Sequence, residues 1–136
     1  MSRLLCFTPQ EASVAEKFIQ HPNIVCLLDC FSEGKRDQLK CCLVYRFAGV
    51  DLGQMLEGRS LNAPAIRQVL GGALCGLSAM HGAGVIHTDI KPANLLVLEE
   101  DGVLHCRVGD LGSVVEAQHP MPNLSVKYFP ILGVKF

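Results

Sequence analysis

Apolar residues recur at helical spacing between Asn62 and Met80. Ile66, Leu70, Ala73, Leu77 and Met80 fall on one stripe, with Val69 and Leu74 flanking it. The pattern predicts a buried helix opened by Asn62 and Pro64. Gly71-Gly72 in its middle costs about 1 kcal/mol per glycine relative to alanine, which points either to a close backbone approach or to a less stable helix. Upstream, Thr8-Pro9-Gln10-Glu11 reads as a capping box with proline at the first helical position. A short helix is expected from there through Ala12–Gln20, stopped by His21-Pro22. Val25–Phe31 and Leu39–Phe47 are β-branched and aromatic-rich, and predict an antiparallel pair separated by the polar stretch Ser32–Gln38. Gly49 breaks the second strand, and Asp51–Glu57 gives one or two helical turns. Beyond the long helix come Val85-Ile86, an irregular loop, and two further strands, Leu95–Leu98 and Val103–Val108, around Glu99-Glu100-Asp101-Gly102. Those two read as a β-hairpin.

Composition narrows the classes. The chain has 136 residues, 49% of them hydrophobic and 18% charged, which suits one compact domain with some surface left for a partner chain to cover. Lys plus Arg number 12 against 13 Asp plus Glu, and the basic residues are scattered, so neither nucleic acid nor an anionic membrane is an expected partner. No apolar run approaches the roughly 20 residues of a membrane helix, and Met1–Gln10 lacks the apolar core of a signal peptide. The expected compartment is the cytosol or nucleus. The seven cysteines include no Cys-x-x-Cys pair, and most sit among apolar neighbours, where a reduced cysteine acts as a small hydrophobe.

The candidate chemistry lies in the loop between the long helix and the hairpin, His87-Thr88-Asp89-Ile90-Lys91-Pro92-Ala93-Asn94, and in Gly109-Asp110-Leu111-Gly112 directly after the hairpin. These segments resemble the eukaryotic protein kinase family. They match its His-Arg-Asp loop, with Asn five residues past the Asp, and its later Asp-Phe-Gly triplet. His21-Pro22-Asn23-Ile24-Val25 resembles the family's approach to its fourth strand, and Leu43–Ala48 its fifth strand and hinge. The style of His-Thr-Asp-Ile-Lys-Pro with Asp-Leu-Gly is similar to the cyclin-dependent, SR-protein and LAMMER-type kinases.

The resemblance implies an α+β, protein kinase-like fold, incomplete, over residues 1–136. Residues 9–48 would be a remnant of the small lobe with the hinge. Residues 49–136 would be the core of the large lobe, with the catalytic loop and the start of the activation segment; Lys127–Pro130 loosely resembles that segment's end. It further implies ATP- and Mg2+-dependent phosphorylation of a protein substrate at Ser or Thr. Asp89 would be the catalytic base, Lys91 the contact to the transferring phosphate, and Asn94 and Asp110 the magnesium ligands. Tyr45, Arg46, Phe47 and Ala48 would border the adenine, Asp51 would meet the ribose, and Leu96 would pack on the adenine face. Phosphoryl transfer suits such groups, because it spreads negative charge that hard oxygen-held cations and a positioned carboxylate can manage.

Departures from the family pattern are equally definite. No glycine-rich loop and no strand lysine precede Thr8 in this sequence. Glu11 is the nearest candidate for the helix glutamate that pairs with that lysine, although its capping-box role explains it equally well. Thr88 replaces the arginine that receives an activating phosphate. Leu111 for phenylalanine is a conservative apolar exchange, and His87 is expected to act structurally beneath the loop. A catalytically impaired fragment that serves as a binding or regulatory module, or an incomplete gene product without a role of its own, is the alternative reading.

Overall fold

A computed structural model describes residues 3–6, 9–33 and 40–116. Thr8 of the expected capping box and the Lys127–Pro130 segment lie outside the described residues. The front of the molecule is a three-stranded antiparallel sheet of β1 (Arg3–Cys6), β2 (Leu27–Glu33) and β3 (Lys40–Tyr45), with β3 in the centre. Arg3 pairs with Tyr45 and Cys6 with Cys42 on one side of β3, while Leu27 pairs with Tyr45 and Glu33 with Lys40 on the other. The hydrophobic pattern had not indicated β1 at all, and it placed β2 two residues too early.

Helix α1 (Pro9–Lys17) buries Val14 and Ala15, and Phe18 in the turn that follows is buried with them. The helix is shorter than expected, because residues 18–20 form a turn instead of continuing it. After Arg46–Gly49, β4 (Val50–Asp51) leads into α2 (Leu52–Leu56), whose first turn is capped by the Asp51 carboxylate accepting from the Gln54 amide at 2.9 Å. Helix α3 (Ala63–Gly82) is likewise capped by Asn62, whose side-chain oxygen accepts from the Ala65 amide at 2.9 Å.

The buried stripe of α3 is Val69, Ala73, Gly76 and Met80. Of the expected stripe Ala73 and Met80 are buried, as is the flanking Val69, and Leu77 is partly so, whereas Ile66, Leu70 and the flanking Leu74 are exposed. The helix turns its small residues inward because backbone runs against it, at Asn23 of the front segment and at Cys106 of the later hairpin. A Cβ built on Gly76 would lie 2.5 Å from the Asn23 carbonyl oxygen, and one on Gly72 would lie 3.0 Å from the Cys106 carbonyl oxygen. The close-approach reading therefore holds for Gly72, whereas Gly71 has open space beside it.

Beyond α3, β5 (Val85–Ile86) pairs with β8 (Val115–Glu116), and β6 (Leu95–Glu100) forms a hairpin with β7 (Val103–Val108). Both turn residues, Asp101 and Gly102, have positive φ, the twist a tight hairpin prefers, so the strands extend closer to the turn than the sequence suggested. β4 adds to the free edge of β6, with Asp51 opposite Leu96. The core runs through Ile24, Leu43, Met80, Leu95, Val97, Val108 and Leu111, all under 3% exposed, and each such side chain contributes about 1.5–3 kcal/mol by leaving water. None of the described helices is long and apolar enough to cross a membrane.

Candidate active site

The loop between β5 and β6 is held from beneath. His87 is buried, and its Nε2 contacts the Gly109 carbonyl oxygen at 2.7 Å, while its Nδ1 accepts from the Asp89 amide at 3.3 Å. The pair of contacts fits a neutral imidazole protonated on Nε2, and burial pushes its pKa below the ordinary value. Thr88 takes a left-handed backbone, φ 64°, which a β-branched residue seldom adopts, and its hydroxyl donates to the Ser113 carbonyl oxygen at 2.5 Å. The loop is thereby tied to the segment after β7 at the two residues that precede Asp89.

Asp89 and Lys91 meet directly: Lys91 Nζ donates to Asp89 Oδ2 at 2.7 Å. That hydrogen bond holds the Asp89 carboxyl below its usual range, and it raises Lys91 in turn. Asn94, in a short 3-10 turn (Pro92–Asn94), is buried and donates through Nδ2 to both the carbonyl oxygen of Asp89 at 2.8 Å and its Oδ2 at 3.0 Å. With its NH2 group committed in this way, the remaining polar atom of the Asn94 side chain is an acceptor, Oδ1.

Asp110 joins this group through the backbone. The Gly109 amide donates to the Asn94 carbonyl oxygen at 2.8 Å, and Asp110 itself takes a left-handed conformation, φ 55°. Its side chain is exposed. Gly112 then brings Asp110 Oδ1 and Glu11 Oε2 together: a Cβ on Gly112 would lie 3.4 Å from the first and 3.1 Å from the second. Asn94 and Asp110 thus offer hard oxygen donors of the kind magnesium prefers, on elements bonded to each other, and their chemistry fits that ion. Among the described residues no cluster of three or more His, Cys, Asp or Glu stands ready to hold a metal.

The residues that the resemblance assigns to the hinge, Tyr45 to Ala48, lie at and just after the end of β3. Tyr45 is buried at the end of β3. Arg46 and Phe47 are exposed, and Ala48 is buried. The Arg46 amide already donates to the Cys26 carbonyl oxygen at 2.8 Å, so of its backbone groups only the carbonyl remains to offer a ligand. Leu96 is partly buried; its Cδ1 would lie 3.3 Å from a Cβ on Gly109. The Asp51 carboxylate is occupied in capping α2.

Sequence reasoning left Glu11 undecided, and its position is now clear. The side chain is 2% exposed, it accepts from the Tyr45 hydroxyl through Oε1 at 3.4 Å, and Oε2 has no hydrogen-bond partner. Burial, and then the negative charge of Asp110, push its pKa up to about 7. In the sequence it stands one residue further from His21-Pro22 than the family pattern, so spacing did not single it out.

The family model for the protein kinase domain matches residues 7–128. Mitogen-activated protein kinase 12 of Mus musculus is 36% identical over 112 residues, which cover 81% of this chain and 30% of that protein. Mitogen-activated protein kinase HOG1 of Hortaea werneckii is 37% identical over 93 residues, 68% of this chain and 25% of that one. The crystal structure of the Rad53 kinase domain and SCD2 in complex with AMPPNP matches with a TM-score of 0.70 at 23% identity, covering 84% of this chain and 43% of that one. The chain spans less than a third of the length of these curated relatives. It belongs to the protein kinase family, and its fold is a part of the protein kinase fold.

Proposed function

We propose that this member of the protein kinase family binds ATP with magnesium and supports transfer of the terminal phosphate to a protein Ser or Thr hydroxyl. The observation that carries the reading is the bonded loop Asp89–Lys91–Asn94, joined to the Asp110 turn by the Gly109 amide. In this reading Asp89, kept ionised, orients the acceptor hydroxyl and takes its proton. Lys91 brings a compact positive charge to the transferring group. Asn94 Oδ1 and the Asp110 carboxylate would hold the ion, whose contribution when bound is to offset the phosphate charge. Tyr45, the Arg46 carbonyl, Phe47 and the Ala48 backbone would border the adenine, with Leu96 on its face and Asp51 near the ribose once its capping bond is shared or released. A cytosolic or nuclear setting suits the buried Cys106, whose thiol is pushed up to about 11 by burial and so stays protonated.

Glu11 favours a second reading, a member that binds without efficient transfer. Among the described side chains no cation pairs with it, and positioning of the phosphates supplies most of the rate in this chemistry. Calorimetry of ATP with magnesium, then with a chelator, tests the shared part of both readings. Binding that requires the ion is expected; equal binding in chelator would remove the site assignment. Transfer of labelled phosphate to a Ser/Thr peptide then separates the two.

A further inference from the structure

Tyr45 reaches Glu11 across 34 positions of sequence, and the contact joins two different elements. Tyr45 is fixed on both sides in the front sheet, opposite Arg3 on β1 and Leu27 on β2. Glu11 lies in the first turn of α1, nearly inaccessible to water. A buried carboxylate ordinarily gains a cation or several donors, because an unsatisfied charged oxygen is costly. Here both lysines with described side chains are committed elsewhere, Lys17 to Glu116 and Lys91 to Asp89. The phenol is the hydrogen-bond donor that Glu11 has, and Oε2 is left facing Gly112 and the Asp110 carboxylate.

We infer that Tyr45 is a positioning residue whose hydroxyl, in place of a cation, ties the Glu11 carboxylate and with it the first turn of α1 to the front sheet beside Asp110. Burial and the nearby Glu11 charge hold the phenol well above its ordinary range, so it remains a donor at any working pH. The consequence at Asp110 rests on the magnesium–nucleotide reading above. The tie itself rests only on the contact geometry.

The test uses the full chain carrying Tyr128→Phe, which leaves Tyr45 as the sole tyrosine in a sequence without tryptophan. A phenol that donates to a carboxylate absorbs at longer wavelength than a free one, so the ultraviolet band reports the bond directly. Glu11→Gln keeps an acceptor oxygen and should keep the band position; Glu11→Leu should move it to shorter wavelength. Amide exchange across Ala12–Lys17 should speed up about tenfold in Glu11→Leu and in Tyr45→Phe, the change that loss of one buried hydrogen bond brings. Glu11→Gln should stay near the parent, and the β6–β7 amides should not change in any variant. Unchanged exchange in α1 on Tyr45→Phe, or equal damage from Gln and Leu at position 11, would show that the ring merely fills space. No readout involves nucleotide or metal, so the outcome is independent of whether the chain binds ATP.

Discussion

The Gly109 amide and the Asn94 carbonyl share one hydrogen bond of 2.8 Å, so the two proposed ion-holding residues, Asn94 and Asp110, are separated by a single backbone contact and the Gly109 residue. The loop that carries Asp89 and the turn after the hairpin cannot move apart without breaking it. Asp89 and Lys91 connect to Asp110 through the same joint, because Asn94 bonds Asp89 and Asp89 bonds Lys91.

Asp110→Asn should therefore remove magnesium-dependent ATP binding without unfolding the chain. The side chain is exposed, and asparagine tolerates the left-handed backbone that Asp110 adopts. Calorimetry should show at least about a tenfold loss of affinity, the scale of one charge-assisted contact, with an unchanged circular dichroism spectrum. Unaltered binding would exclude Asp110 from the site.

Lys91→Met should raise the Asp89 carboxyl toward its ordinary range, because the Lys91 hydrogen bond is the largest cause of its depression. Asp89 has a lowered folded-state pKa, so what it contributes to stability is present above the unfolded value and is lost as pH falls through the folded one. Carbon-13 carboxyl shifts followed through acid pH would locate the midpoint in parent and variant. Asp89→Asn should abolish any phosphate transfer and leave ATP affinity within a few-fold, because Asp89 does not hold the nucleotide.

Glu11 carries the opposite sign. Its folded-state pKa of about 7 exceeds its ordinary 4.5, so the folded state favours the protonated carboxyl. The stabilisation is complete below the ordinary value and disappears as pH rises through 7. His87, lowered by burial, changes stability in the other direction near its ordinary 6.5. Comparing Glu11→Gln with the parent cancels that effect. The variant should gain melting temperature on the parent steadily from pH 5 to pH 8, and a constant difference would refute the shift.

Two glycines of α3 should respond oppositely to alanine. Gly71→Ala meets nothing within 4 Å and should stabilise by up to about 1 kcal/mol, or a few degrees in melting temperature. Gly76→Ala would force a methyl to 2.5 Å from the Asn23 carbonyl oxygen and should destabilise despite the same gain in helix propensity. Thermal denaturation of the two variants decides both points.

That contrast explains what the sequence could and could not reveal. Helical spacing located α3, but periodicity weights bulk, and the most apolar stripe, Ile66 with Leu70, is not the most buried one. The inward face is marked by Gly72, Ala73 and Gly76, where backbones rather than side chains meet. The order of Asp89, Lys91, Asn94 and Asp110 around a hairpin was readable, because chemistry at fixed spacing leaves a local signature. β1 was not, since Arg3–Cys6 gains its place by pairing with a strand about forty residues away. The burial of Glu11 was equally out of reach, as it depends on Tyr45 and Gly112, which lie far along the chain.

The bridge between Ile24 and Val108 has a bearing on the order in which this molecule assembles. Val25 donates to the Val108 carbonyl at 3.0 Å and Val108 donates to the Asn23 carbonyl at 2.9 Å, closing a loop of more than eighty residues with two backbone bonds. The hairpin beside it closes over a two-residue turn and packs on the helix just before it, so it can form early from contacts near in sequence. The long closure carries a larger entropy cost and is rewarded only when the hairpin edge already exists. The expected order of assembly is therefore the strand bearing Val108 first, with the front segment then joining a finished edge.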